Sequence, residues 1–122
     1  MAEVLTGDGS MYISAADDHI VTHRFCDQLG NSFTSGDMPD FVVEFYVRFR
    51  SAQKVTCSKV GATLTKCSIE PDGTVYFYIP KSSFTSAGQL IMKPSVSLPN
   101  ANFADGTQEV SAEIFTGKYI RI

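Results

Sequence analysis

Residues 41–50 read Phe-Val-Val-Glu-Phe-Tyr-Val-Arg-Phe-Arg, and every odd position among them is apolar. Phe41, Val43, Phe45, Val47 and Phe49 share one parity, while Glu44, Arg48 and Arg50 fall on the other. Side chains reverse direction at each residue of a strand, so a repeat of two gives one buried face and one wet face. On a helix the same residues would put Phe41 and Phe45 on faces overlapping those of Glu44 and Arg48, leaving no apolar stripe. The segment is therefore a strand, and its inner face needs a second apolar layer to pack against.

The pattern recurs downstream. Val75, Phe77 and Ile79 alternate with Thr74, Tyr76 and Tyr78, and Pro80 ends the run by removing a backbone donor. Leu90, Met92, Pro94, Val96 and Leu98 share a parity, and Pro94 places that run at a sheet edge or a bulge. Val110, Ala112, Ile114, Ile120 and Ile122 form a looser series in which Gly117 marks a turn or bulge. Shorter strands fit 11–15, 19–26, 54–60 and 63–70. Turn formers separate them, and Pro71-Asp72-Gly73 predicts a hairpin of 63–70 with 74–79. One helical turn, capped by Ser82 or Ser83, fits 81–88. These signals predict an all-β domain over residues 11–122. Its expected form is an antiparallel two-sheet β-sandwich, Ig-like or jelly-roll-like, with roughly 7–9 short strands. Residues 1–10, small and polar, are expected to be a flexible or partner-bound arm.

Charge and motif content narrow the function. Ten basic against thirteen acidic residues give a net charge of −3, and the densest basic stretch is Arg48, Arg50 and Lys54. Nucleic acid is not an expected partner, because phosphate binding needs a concentrated basic surface. No apolar run approaches the ~20 residues that span a bilayer, so no membrane association is expected. The N-terminus lacks the basic and apolar regions of a signal peptide, which predicts a chain that stays in the cytoplasm where it is made. Cys26, Cys57 and Cys67 cannot all pair, and are expected to be buried thiols, although Cys57 and Cys67 could face each other across a hairpin.

His19 and His23, near Cys26 and Asp17, Asp18 and Asp27, form the one cluster with metal-ligand chemistry. On a strand, positions i and i+4 lie about 13 Å apart, too far to share an ion, so the two are expected on an exposed strand face. No serine stands in a nucleophile elbow, and no glycine run forms a phosphate loop. Neither catalysis nor a cofactor or metal is expected. Attention falls instead on Tyr46, Tyr76 and Tyr78, all on outward parities, as a surface that could meet a protein or stack on a sugar. Phe103 stands alone among turn formers. Such a residue plugs the end of a sandwich or serves as a docking knob, and the plug is the expected role.

Three segments together carry a family likeness. They are the Phe41–Phe49 strand; the hairpin of Val55-Thr56-Cys57 and Leu64-Thr65-Lys66-Cys67 leading into Thr74–Pro80; and Pro99-Asn-Ala-Asn-Phe-Ala-Asp-Gly106 before Gln108-Glu109-Val110 and Thr116-Gly117. Their layout over residues 40–117 resembles small virion structural proteins of Bacteroidetes tailed phages and prophages. It is also similar to the β-sandwich N-terminal domain of phage upper-baseplate and receptor-binding proteins. The resemblance implies an adaptor in a tail, baseplate or head-fibre assembly, built from homo-oligomers and lodged in the virion. It carries over no functional residue. A carbohydrate-binding or adhesin-like module, with the tyrosines as its platform, is the alternative expectation.

Overall fold

The computed structural model describes residues 12–27 and 29–122; the expected arm, 1–10, lies outside them. The described residues are all-β, in two sheets. The strands are β1 (Tyr12–Ser14), β2 (His19–Arg24), β3 (Phe41–Val47), β4 (Val55–Val60), β5 (Thr63–Thr65), β6 (Cys67–Ile69), β7 (Thr74–Ile79), β8 (Gly88–Pro99), β9 (Thr107–Ser111) and β10 (Ile114–Arg121). The larger sheet runs β1-β10-β8-β3-β4-β5, with β9 on β8 beyond β10, and the smaller runs β2-β7-β6. The described residues hold ten strands, because two expected runs break. Lys66 takes a left-handed φ of 52° and sends 63–65 to one sheet and 67–69 to the other. The C-terminal run divides between β9 and β10.

The predicted inner faces form the core. Val43, Phe45, Val75, Phe77 and Leu90 are fully enclosed, and the Phe45 and Phe77 rings meet across the two sheets at 5.3 Å. Phe41 bridges Phe77 at 6.0 Å and Phe25 at 5.0 Å. The Pro71-Asp72-Gly73 hairpin forms as expected, with Ile69 opposite Val75 and Cys67 opposite Phe77.

Three expectations need correction. Phe49 is not a core residue. The strand ends at Val47, Arg50 N–H donates to the Val47 carbonyl, and Phe49 turns out at φ 68° with 81% of its surface exposed. Pro94 is not at an edge, since β8 has β3 on one side and β9 and β10 on the other. Its missing N–H points at the break between those two strands, where the Pro94 carbonyl accepts from Ala112 N–H, so no ladder bond is lost. Residues 81–87 form a turn at Lys81 and Ser82 followed by irregular chain rather than a helical turn, and Phe84, buried there, closes one end of the sandwich.

Turn carboxylates brace the loops. Asp40 accepts from Gly61 N–H and Lys59 Nζ, Asp72 from Thr74 N–H, and Asp105 from Thr107 N–H. These backbone donors favour the charged form and hold all three below the ordinary value of 3.8. His23 is shifted the same way by burial, which disfavours its cation, and lies below 6.5. Each of these groups binds its proton less readily in the fold than in the unfolded chain. Their contribution is therefore complete above the unfolded value and is lost as pH falls through the native one. Thermal melts should show a first decline starting below pH 6.5 and a second below pH 3.8. His23→Leu should reduce the first decline and leave the second in place.

A candidate binding surface on the larger sheet

Strand parity gives the larger sheet an outward face, and the residues gathered there come from four strands. Tyr46 in β3 stands opposite Ile91 in β8, and Ile91 stands opposite Phe115 in β10. One level along, Gln89 pairs with Tyr119, and Tyr119 pairs in parallel with Tyr12 of β1. Between these levels β10 bulges at Gly117, where φ is 83°. Phe115 and Tyr119 share the outward parity, and the bulge brings them to adjacent levels of β8, with ring centroids 5.3 Å apart. Tyr119 and Tyr12 lie 5.4 Å apart, and the Arg121 guanidinium sits 5.3 Å over the Tyr12 ring. Tyr46, Ile91, Phe115, Tyr119 and Tyr12 thus make one apolar strip.

Its parts are unequally covered. Phe115 is 42% exposed and Tyr12 49%, whereas Tyr46 and Ile91 are buried. Burial first, then the neighbouring Glu113 carboxylate that accepts its hydroxyl hydrogen bond, pushes the Tyr46 phenol up from its ordinary value. Charges of both signs surround the strip: Arg48, Lys93 and Arg121 against Glu44 and Glu113, with Glu44 paired to Lys54 at 2.7 Å. Arg48 also lies 4.8 Å from the exposed Phe49 ring.

The sequence-predicted site residues do not form one surface. Tyr46 has the outward parity but is not available for contact, because its neighbours on the sheet cover it. Tyr76 and Tyr78 are on the outward face of the smaller sheet, the opposite side of the molecule, where Tyr78 is exposed and its hydroxyl bonds Ser68 Oγ at 2.6 Å. Phe103 is not a plug. It is half exposed on the β8–β9 loop, in a turn closed by Gly106 N–H donating to its carbonyl.

His19 and His23 do not lie on an exposed face. Both have the core-facing parity, opposite Ile79 and Val75; His19 is buried and His23 half-buried, edge-on to Phe25 at 4.8 Å. Cys26 is exposed. Among the described residues, no three or more potential metal ligands come together. His23 instead rims an apolar groove of about 320 Å³ between Phe25 and Phe33 on one side and Val96, Leu98 and Val110 on the other. The groove exists because a three-stranded sheet does not cover the far half of β8 and its partner β9.

Sequence reasoning missed Tyr12, Phe115 and Tyr119. The signal present was the aromatic content of the C-terminal run, but joining it to Tyr12 requires a parallel pairing between opposite ends of the chain. Compared with protein-family models, curated proteins and solved structures, the chain matches none.

Proposed function

We propose that this chain is a structural adaptor of a phage virion, which self-associates through the outward face of its larger sheet and docks onto a tail, baseplate or head assembly. The observation that carries self-association is the strip of Phe115, Tyr119 and Tyr12 beside Tyr46 and Ile91. Clustered aromatic side chains with arginine at the rim are the composition that distinguishes protein interfaces from the rest of a surface. Both charge signs flank the strip, which suits a self-complementary contact in which each copy supplies the same residues. The virion setting rests on the resemblance of residues 40–117 to small phage structural proteins. Binding without catalysis, in an Ig-like or jelly-roll-like sandwich, belongs to the same reading.

The test is solution mass by light scattering after size exclusion, over a range of concentrations. A closed oligomer, or one that grows with concentration, supports the proposal. A monomer throughout ends it. A carbohydrate-binding reading has one observation in its favour, the exposed Tyr78 beside half-buried Tyr76 on the smaller sheet. Glycan-array binding lost in Tyr78→Ala would promote that reading, and a flat array would retire it.

A further inference from the structure

Beside the Phe45–Phe77 contact, the two sheets meet at a seam where β4 of the larger lies against β6 and β7 of the smaller. A cysteine stands on each side. Cys57 in β4 pairs with Val43 and points inward, fully buried; Cys67 in β6 pairs with Phe77 and is buried too. They are not hairpin partners, because the β4–β5 register sets Ser58 opposite Thr65 and carries Cys67 into the other sheet. Cys67 reaches across the seam to the strand that carries Cys57. Cys67 Sγ lies 3.4 Å from the carbonyl oxygen of Ser58, the residue after Cys57. Cys57 in turn points from the inner face of β4 toward β7, where Cys67's partner Phe77 stands. The N–H of Tyr78, the residue after Phe77, donates to the Lys66 carbonyl, directly before Cys67. Two buried thiols, one of them 3.4 Å from the backbone carbonyl next to the other, thus stand on opposite sides of the same seam.

We infer that Cys57 and Cys67 form a latent disulfide that staples the two sheets at this seam when the chain moves from reducing to oxidising surroundings. The oxidant is a small disulfide such as oxidised glutathione. One cysteine thiolate attacks it, forming a mixed disulfide and releasing one glutathione thiolate. The second cysteine thiolate then attacks the protein sulfur of the mixed bond and releases the other glutathione. One protein S–S bond replaces the glutathione S–S bond, its two electrons pass to the departing glutathiones, and the two cysteine protons end on them. In the native fold the reaction is slow. Burial suppresses the thiolate, with the Cys57 thiol pushed up to about 12, and the reagent enters only when the three-residue edge strand β6 opens.

The experiment treats the folded Cys26→Ser chain, in which the exposed thiol is removed, with oxidised glutathione at mildly alkaline pH. The expected product is a monomer about 2 Da lighter with no free thiol after unfolding, whose single linked peptide joins Cys57 to Cys67. It should melt higher by on the order of 10 °C, and reductant should reverse the shift. Two intact thiols after prolonged treatment, with glutathione able to oxidise the same chain once unfolded, would overturn the inference. So would a linked product that melts lower than the reduced chain, because the native seam would then not accept the bond. The result does not depend on self-association, so its failure leaves the adaptor reading untouched.

Discussion

Phe77→Ala should destabilise the fold by about 3–5 kcal/mol, the largest loss expected of any side-chain truncation in this chain. Phe77 is fully buried, lies 5.3 Å from Phe45 and 6.0 Å from Phe41, and is the main contact through which the smaller sheet grips the larger. Truncation removes the transfer energy of the ring and leaves a cavity between two sheets that hydrogen-bonded strands hold apart, so collapse is limited. Domains of this size are stable by about 5–15 kcal/mol, and the variant should retain a small part of that. Urea titration followed by circular dichroism reads the effect as a lower midpoint at unchanged slope. Phe103→Ala, on an exposed loop, should shift the midpoint little.

Gly73→Ala should cost about 2–4 kcal/mol, although it adds one methyl group to a turn. Gly73 sits in the β6–β7 turn at φ 93°, and a Cβ built there would lie 1.7 Å from the Phe33 carbonyl oxygen. The obstacle is backbone, which has no rotamer to change. The Phe33–Thr34 segment crosses directly over the turn, tied to it by Ser35 N–H donating to the Pro71 carbonyl. The variant must push that segment off the hairpin and give up the bond. Gly117→Ala is the comparison: φ is 83°, but nothing lies within 4 Å of the added carbon. It should incur only the left-handed strain, a loss of about 1–2 kcal/mol of stability. Melting temperatures of the two variants separate crowding from backbone strain.

The parts of the fold that were legible share a physical origin. Alternation is a local property, so the inner faces of β3, β7 and β8 could be read directly, and Pro71-Asp72-Gly73 fixed its hairpin because turn geometry is local too. Phe49 shows the limit of that reasoning. Arg48-Phe49-Arg50 continues the period, yet the chain has already turned, and no pattern of polarity marks where a strand stops. Tyr46 shows another limit. Parity assigns a face but not what shares it, and Ile91 and Glu113 come from segments more than forty residues away. The candidate surface was the least legible element. It needs a bulge in β10 and a parallel partner from the other end of the chain, and both are tertiary facts. The histidines misled for a related reason, because their parity faces a core that only the opposing sheet defines.

The most direct test of the adaptor account compares two charge insertions on opposite faces, Phe115→Glu on the larger sheet and Tyr78→Glu on the smaller, by concentration-dependent light scattering. Both positions are exposed to the same degree, so both variants should fold. The account predicts that Phe115→Glu weakens self-association at least about tenfold, the effect of losing roughly 1.4 kcal/mol at an interface, while Tyr78→Glu assembles as the native chain does. Assembly lost in Tyr78→Glu and kept in Phe115→Glu would contradict it, and would move the contact to the other side of the molecule.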